Sequence, residues 1–344
     1  MKRPNLFISF IVLNAFLISS CGVAIKASES PTPVIVSHKV QEITDIAQLW
    51  SKDNVYVIWN EQDITLDSNL GKTCFLGDLG KRDLYTNFIC LESRSGEIIW
   101  IKEDGVHRTI AVTQDGIFIA YSSGAYLKKF DSQTGDLIWE KSLGGTGSIY
   151  LYYLDDQIQV STTNPEKLWV LDTNADVIRK MRDGAKSIFL STTNETYVNL
   201  KGLQVLKTGT NQVLWEYIDM QHLTQAPVFT ANEIFLRNGD AFSGTAYALD
   251  RKNGEQLWEI PNIVGNLVYS PDKQLVYALR ENGDLLAIDE KTGNENTLAT
   301  FSPVPFLFFD GVDTCAYQLA YDSEEHILVI YLGDSKQLFA FKVE

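Results

Sequence analysis

A ten-residue motif recurs along the chain, and its spacing constrains the fold more than any other feature. Segments 130–139 and 249–258 both read as an apolar residue, Asp, three turn residues, Gly, three further residues and Trp. Similar copies lie at 91–100, 171–180, 206–215 and 288–297. The second position of the motif, called the marker here, is Glu92, Asp131, Asp172, Lys207, Asp250 and Asp289. Consecutive markers are 35 to 43 residues apart, a spacing typical of four-stranded β-propeller blades.

Each copy of the motif has the residues of a tight hairpin. The position four residues after the marker holds Gly, Asp or Asn in every copy, namely Gly96, Gly135, Asp176, Asn211, Gly254 and Gly293. These residue types adopt positive φ most readily, and an Asp marker can accept hydrogen bonds from N–H groups of its own turn. We therefore predict a hairpin at each copy, with a left-handed residue at this position.

A Trp residue stands eight positions after the marker in four copies: Trp100, Trp139, Trp215 and Trp258. We expect each indole to lie on the last strand of its blade and to pack against the next blade. The corresponding residues in the other two copies are Lys180 and Thr297, and we expect weaker contacts there.

The two ends of the repeat region predict how the ring closes. Segment 336–344 matches the third strand of a blade without a fourth, and segment 47–50 matches a fourth strand. The remaining runs are short and rich in β-branched and aromatic residues. We predict an all-β fold over 41–344, a seven-bladed β-propeller of four-stranded antiparallel blades, with 47–50 pairing with 336–344. Two separate β-sandwiches are the alternative, but they leave the regular marker unexplained.

The first 21 residues are typical of an export signal. A basic start is followed by an apolar run from Leu6 to Ile18, which is shorter than a membrane-spanning helix. Residues 18–21, Ile-Ser-Ser-Cys, resemble the lipobox of bacterial lipoproteins. We predict a signal peptide at 1–20, a lipidated Cys21, and a flexible tether at 21–40. An ordinary signal peptide that contains a Cys is the alternative interpretation.

The charge and the cysteines restrict the partners further. The 44 acidic residues outnumber the 29 basic ones, which argues against nucleic acid as a partner. Cys74 and Cys90 lie on consecutive predicted strands, and export permits a disulfide between them. Three buried thiols, including Cys315, are the alternative interpretation.

The repeat resembles that of the pyrroloquinoline-quinone (PQQ) enzymes, a resemblance that implies a quinoprotein-like propeller. Its Asp, Gly and Trp residues hold blades together and do not themselves imply the quinone. The adjacent cysteines often found in those enzymes are absent from this sequence, and we expect neither a cofactor nor a metal. Together with the lipobox and tether, the repeat is also similar to the BamB family of outer-membrane assembly lipoproteins. That resemblance implies a non-enzymatic scaffold that binds partners through surface loops, although this chain has room for one blade fewer.

No nucleophile, zinc or phosphate-loop motif is found in the sequence, and no catalytic residue is predicted. We expect a lipid-anchored, protein-binding scaffold in the bacterial envelope, either at the outer membrane facing the periplasm or at the surface of a one-membrane cell. Binding of a small molecule or glycan in the central channel, or quinoprotein-type oxidation there, is the alternative. The acidic segment 63–69 is a weaker candidate for Ca²⁺ binding.

Two long loops, 77–83 and 237–244, and the connection 217–225 are predicted to share one face of the ring. Arg and aromatic residues are frequent interface anchors. The predicted partner-binding residues are Arg82, Tyr217, Met220, His222, Arg237 and Phe242.

Overall fold

The structure is a computed structural model. It describes residues 40–43, 46–57, 65–80, 87–103, 109–121, 125–154, 156–164, 166–181, 187–199, 202–210, 212–217, 227–239, 243–301, 317–333 and 335–343. The chain divides into two compact units, Met1–Val34 and Ile35–Glu344, and all described residues lie in the second. In this part of the chain, no helix is long and apolar enough to cross a membrane.

The regular structure of the described residues consists of β-strands. In chain order, the first fifteen are β1 Val40–Ile43, β2 Ile46–Asp53, β3 Val55–Val57, β4 Leu66–Asn69, β5 Lys72–Leu79, β6 Asn87–Glu92, β7 Ile98–Glu103, β8 Thr109–Thr113, β9 Gly116–Tyr121, β10 Tyr126–Phe130, β11 Leu137–Ser142, β12 Thr146–Leu154, β13 Gln157–Asn164, β14 Glu166–Leu171 and β15 Val177–Met181. The others are β16 Ser187–Ser191, β17 Glu195–Asn199, β18 Leu203–Lys207, β19 Val213–Tyr217, β20 Val228–Phe229, β21 Glu233–Gly239, β22 Gly244–Asp250, β23 Gln256–Ser270, β24 Leu275–Arg280, β25 Asp284–Asp289, β26 Glu295–Phe301, β27 Tyr317–Asp322, β28 Ile327–Leu332 and β29 Gln337–Val343.

Hydrogen bonding groups these strands into four-stranded antiparallel units, the blades. Blade 1 contains β5, β6 and β7, with the short strands β3 and β4 both paired to β5. Blades 2, 3 and 4 are β8–β11, β12–β15 and β16–β19. The long strand β23 is shared, because its first part completes blade 5 after β20–β22 and its second part begins blade 6 before β24–β26. Blade 7 is β27–β29 with β2. The predicted all-β propeller of antiparallel blades is confirmed. The described strands form seven blades, of which five have the predicted four strands, while blades 1 and 6 each have a fifth.

The place of a strand within its blade decides how it is buried. Middle strands such as β9 and β28 are buried at every position, because blades cover both faces of the sheet. Outer strands such as β11 and β15 have no fully buried residue. This difference explains why the middle strands read as continuous apolar runs in the sequence.

The core is divided among the junctions between blades. Six of the seven hydrophobic clusters in the described part of the chain contain residues of two consecutive blades, and the seventh, around Trp215, contains residues of blades 3, 4 and 5. The cluster between blades 7 and 1, for example, packs Val329 and Leu338 against Phe75 and Ile89. The clusters therefore follow one another around a closed ring.

The N-terminal strand closes this ring as predicted. β2 pairs with β29 along its length, with Ala47 opposite Lys342 and Trp50 opposite Ala340. The short strand β1 pairs with the outer edge of β26, which the sequence did not predict. Blade 6 thereby gains a fifth strand, and its outer edge is covered by the chain itself.

The predicted hairpin chemistry is present at most markers. Asp131 Oδ1 accepts the backbone N–H groups of Gln133 and Thr134, both at 2.8 Å, and these bonds hold the pKa of Asp131 below its usual value. Asp172, Asp250 and Asp289 accept backbone N–H groups of their own turns in the same way. The four predicted glycines adopt positive φ: Gly96 at 72°, Gly135 at 69°, Gly254 at 75° and Gly293 at 71°.

Indole groups connect each of five blades to the next. In every case the indole N–H donates to the backbone carbonyl of the residue that immediately follows the marker of the next blade. The pairs are Trp50 with Ser93 (2.8 Å), Trp100 with Ser132 (3.4 Å), Trp139 with Thr173 (3.2 Å), Trp215 with Arg251 (3.1 Å) and Trp258 with Glu290 (2.9 Å). The prediction that the Trp residues pack against the next blade is confirmed.

The prediction for blade 3 is wrong at two positions, because its hairpin is one residue shorter. The N–H of Asp172 donates to the carbonyl of Asp176, and the residue with positive φ is Ala175 (71°) rather than Asp176. The shorter turn places Arg179, not Lys180, at the position that Trp occupies elsewhere. Its guanidinium donates to the carbonyls of Ser191 and Thr192 in blade 4, at 3.0 and 3.2 Å, so this junction is tied by an arginine.

The two other atypical copies also differ from the pattern. In blade 4, Gly209 has positive φ (76°), and Asn211 lies outside the described residues. In blade 6, the register shift of the outer strand falls between Leu285 and Leu286. Leu298 is buried there in the cluster shared with blade 7, so an aliphatic side chain replaces the indole.

Candidate functional site

The predicted partner-binding residues fall into two groups. Arg82, Met220, His222 and Phe242 lie outside the described residues, and the prediction for them stays a prediction. Tyr217 ends β19, where it is half-buried, and its hydroxyl donates to the side-chain oxygen of Gln256.

The prediction that Arg237 is exposed on a loop is wrong. Arg237 lies inside β21, only 2 % of it is exposed, and its Nε donates to the carbonyl of Ile263 in blade 6 at 2.9 Å. The reason is that β21 continues to Gly239 and β22 starts at Gly244, so the loop is shorter than predicted. Arg237 connects blades 5 and 6 and is not available as a surface anchor.

A cleft of about 470 Å³ opens between blades 4 and 5. One wall is the turn between the first two strands of blade 4, at residues 192–195. The other is the matching turn of blade 5, at 231–232, together with its marker hairpin at 250–252. A volume of this size is within the range of ligand pockets in proteins.

The two walls of the cleft have the same turn, with the sequence Thr-x-Asn-Glu at 192–195 and 230–233. In each turn the Thr hydroxyl accepts the backbone N–H groups of the Asn and the Glu, at 2.8 to 3.3 Å. The carbonyls of Asn194 and Asn232 accept hydrogen bonds from Thr208 and Arg251, in the marker hairpins of their own blades. Both turns are therefore fixed, and both Asn residues are exposed.

The charged groups at the base of the cleft are bonded to one another. Arg251 Nε donates to the hydroxyl of Tyr197 at 2.7 Å and lies 3.6 Å from Glu195 Oε2. The Tyr197 hydroxyl donates to Glu195, and burial together with this bond raises the pKa of Tyr197 above its ordinary value. Asp250 caps its own hairpin. The acidic groups of the cleft are thus engaged within the protein.

Three side chains at the cleft have no such engagement. Within the described part of the chain, the side chains of Asn194, Asn232 and Lys252 form no hydrogen bond and no ion pair, and all three residues are exposed. Sequence reasoning did not identify this site. The available signal was the repeated Thr-x-Asn-Glu, which is too short to stand out without its position in the blades.

The acidic segment 63–69, the weaker candidate for Ca²⁺ binding, connects two blades at the residues that the structure describes. Asp67 Oδ2 accepts the N–H of Val112 at 2.6 Å, and Asn69 Nδ2 donates to the carbonyl of the same residue at 3.3 Å. These bonds join the first strands of blades 1 and 2. Loss of water around the half-buried Asp67 carboxyl raises its pKa to about 6. Among the described residues, no group of three or more His, Cys, Asp or Glu side chains could hold a metal ion.

Of the two interpretations of the cysteines, the structure shows the disulfide. Cys74 and Cys90 are directly opposite in β5 and β6 and are bonded to each other. Both are fully buried in the cluster between blades 1 and 2. Disulfides persist in oxidising compartments outside the cytosol.

The repeat region matches a known family. A family model described as outer membrane protein assembly factor BamB matches residues 87–294, more than half of the chain. The chain belongs to the BamB family. The BamB match runs from β6 to the marker hairpin of blade 6 and contains all six markers and both walls of the cleft. A comparison with curated proteins finds no match.

Solved structures resemble the chain in fold. The BamB of Moraxella catarrhalis is 12 % identical, with 86 % of this chain and 99 % of that chain covered and a TM-score of 0.49. A chain of the mitotic checkpoint complex is 12 % identical over 96 % of this chain and 99 % of its own, with a TM-score of 0.64. The Pan2 WD40 domain of Neurospora crassa is 11 % identical over 88 % and 97 %, with a TM-score of 0.61. At these identities, the last two similarities show the fold of this BamB-family chain and nothing further.

Proposed function

We propose that this chain is a non-catalytic propeller that binds proteins and acts as a scaffold in the assembly of outer-membrane proteins. The observation that carries the proposal is the BamB family match over residues 87–294. The fold is consistent with this role, because a ring of rigid blades presents turns and loops on two faces. Functional residues are often found on loops that a rigid scaffold positions.

The proposal includes no cofactor. The repeat residues shared with quinoproteins are engaged in the ring itself, since the indoles connect blades and the marker carboxylates cap hairpins. These structural roles account for the motif without a quinone.

We further propose that the protein is exported and anchored through a lipid on Cys21, facing the periplasm at the outer membrane. The support is the lipobox-like segment 18–21 and the Cys74–Cys90 disulfide, which fits an oxidising compartment. Residues 1–39 lie outside the described residues, so the anchor rests on the sequence.

Partner capture tests the scaffold role. A C-terminally tagged full chain is crosslinked in the cells that make it, purified from the solubilised envelope, and its partners are quantified by mass spectrometry. We expect enrichment of a protein of outer-membrane assembly over an unrelated tagged lipoprotein. Absence of such enrichment would contradict the proposal.

A loop variant locates the partner surface in the same experiment. We expect Arg82→Ala combined with Phe242→Ala to reduce capture while circular dichroism stays unchanged. Unchanged capture would reject these loops as the docking surface and leave the scaffold role intact. Arg237 is not suitable for this test, because its substitution would disturb the junction of blades 5 and 6.

Metabolic labelling with an alkyne fatty acid tests the anchor. The wild-type chain should be labelled and sediment with membranes, whereas Cys21→Ser should lose both properties. Cys315→Ser is the control and should keep them. An unlabelled wild-type chain would show that the signal is of the ordinary kind.

A further inference from the structure

We infer that the cleft between blades 4 and 5 binds an extended polypeptide segment of a partner, held by its backbone between Asn194 and Asn232. The inference rests on the proposed protein-binding function and names a site and a ligand chemistry for it. The site is separate from the predicted loops, because the cleft is formed by the turns between first and second strands and by a marker hairpin.

The ring itself shows what a carboxamide does at a blade junction. Gln159 Nε2 donates to the carbonyl of Ser191, and the N–H of Ser191 donates to Gln159 Oε1, both at 2.9 Å. Asn266 makes the same pair of bonds with Leu319, both at 2.8 Å. A carboxamide has a donor and an acceptor side by side, so it matches the N–H and carbonyl of an extended chain.

The cleft presents two carboxamides of this kind without a strand to bind. Asn194 and Asn232 line it from adjacent blades, are exposed, and are held by identical turns bonded to the marker hairpins. Because the backbone of each turn is already fixed, binding needs to order only the side-chain torsions of the two Asn residues. An extended segment lying in the cleft would place its peptide groups against both side chains.

The lining favours a peptide over an apolar small molecule. Ala231 is the single apolar residue of the lining, whereas pockets for small molecules are mostly apolar and aromatic. The carboxylates of Glu195 and Asp250 are already engaged, and the exposed Lys252 supplies a cation on the blade 5 wall. We therefore expect segments with an acidic residue or a terminal carboxylate near Lys252 to bind best.

The test uses an array of immobilised random 12-residue peptides probed with the detergent-solubilised full chain. Affinities of the bound peptides are then measured by fluorescence anisotropy for the wild type and for Asn194→Ala combined with Asn232→Ala. The control is Asn294→Ala, since Asn294 is an exposed Asn in the Thr-Gly-Asn-Glu turn at 292–295, where its N–H bonds Thr292 in the same way. All three proteins are checked for equal thermal unfolding.

We expect the double variant to bind about tenfold more weakly for each carboxamide removed, because each contributes two hydrogen bonds. Asn294→Ala should bind as the wild type does. Peptides N-methylated along the backbone should lose binding to the wild type, which tests backbone recognition without any substitution in the protein.

Equal binding by the wild type and the double variant would overturn the inference, as would retained binding of N-methylated peptides or a wild type that binds no peptide. Partner capture by the wild type, measured beside peptide binding, separates this failure from failure of the proposed function. A wild type that captures its partner but binds no peptide refutes the cleft alone, whereas a wild type that captures no partner refutes the scaffold role.

Discussion

The contact between a hairpin glycine and the indole of the preceding blade predicts a specific instability. Gly254 has a φ of 75°, and a methyl carbon added to it would lie 2.8 Å from Cδ2 of Trp215 and closer still to Cε3. Gly254→Ala should therefore lose stability for two reasons: Ala is unfavourable in the left-handed region, and its methyl group overlaps the indole. Gly209 has nearly the same φ, 76°, but a methyl carbon added there meets no atom within 4 Å.

The pair of variants separates the two costs. An Ala in the left-handed region costs about 1–2 kcal/mol, and both variants should show this loss. Overpacking at Gly254 should add about 1–3 kcal/mol, because the indole is held by its bond to Arg251 and by the packed junction. The expected difference between the variants is about 2 kcal/mol of unfolding free energy.

Urea unfolding followed by tryptophan fluorescence and by circular dichroism measures this difference. Differential scanning calorimetry should show the midpoint of Gly254→Ala roughly 3 °C below that of Gly209→Ala. If both variants lose the same stability, the indole contact is not rigid and the reasoning about blade junctions is wrong. The compensating variant Gly254→Ala with Trp215→Phe should recover part of the loss.

Three further predictions concern stability. Asp67 has a raised pKa of about 6, so its protonated form favours the folded state. The unfolding free energy of the wild type relative to Asp67→Asn should therefore fall by about 2 kcal/mol as the pH rises from 4 to 7. A pH-independent difference in urea titrations would refute this. Removing the disulfide by Cys74→Ala with Cys90→Ala should cost about 3 kcal/mol, as expected for a loop of its length, and a thermal midpoint equal to that of the oxidised wild type would contradict it. Trp50→Ala should cost about 3–5 kcal/mol of unfolding free energy, since its indole joins blade 7 to blade 1. The control Leu49→Ala, at a 37 % exposed residue, should cost under about 1 kcal/mol. Similar losses in calorimetry would mean that the closure is not held by the indole.

The repeat predicted the fold well because its residues have local causes. A marker carboxylate caps its own turn and a glycine allows positive φ, so both are visible in a single copy of the motif. The closure of the ring was also predictable, since the matching strand fragments at the two ends, 47–50 and 336–344, require each other.

The errors arose where spacing changes or where burial decides. One residue fewer in the hairpin of blade 3 moved Arg179 into the position assigned to Lys180, and a fixed offset cannot detect such a deletion. Arg237 looked like a loop residue because Asn238 and Gly239 follow it, yet the strand continues through them. Its burial depends on a bond to Ile263 in the next blade, a contact that sequence patterns do not show.

The cleft could not be predicted because its parts are ordinary by themselves. Thr-x-Asn-Glu also occurs at 292–295, where it forms part of a marker hairpin. The two copies at 192–195 and 230–233 form a site because they lie in equivalent turns of neighbouring blades and line the same cleft. That equivalence becomes visible only when the strands are assigned to blades.

The pairing of β2 with β29 joins segments nearly 300 residues apart. During synthesis, β2 emerges long before β29, so blade 7 cannot be completed until β29 has emerged as well. Contacts over such a separation form slowly, because a long loop must close before they stabilise the chain. Until β2 and β29 pair, blades 1 and 7 each expose the apolar face that they bury against each other in the closed ring. The chain is therefore most open to misassembly in the whole period before β29 pairs with β2.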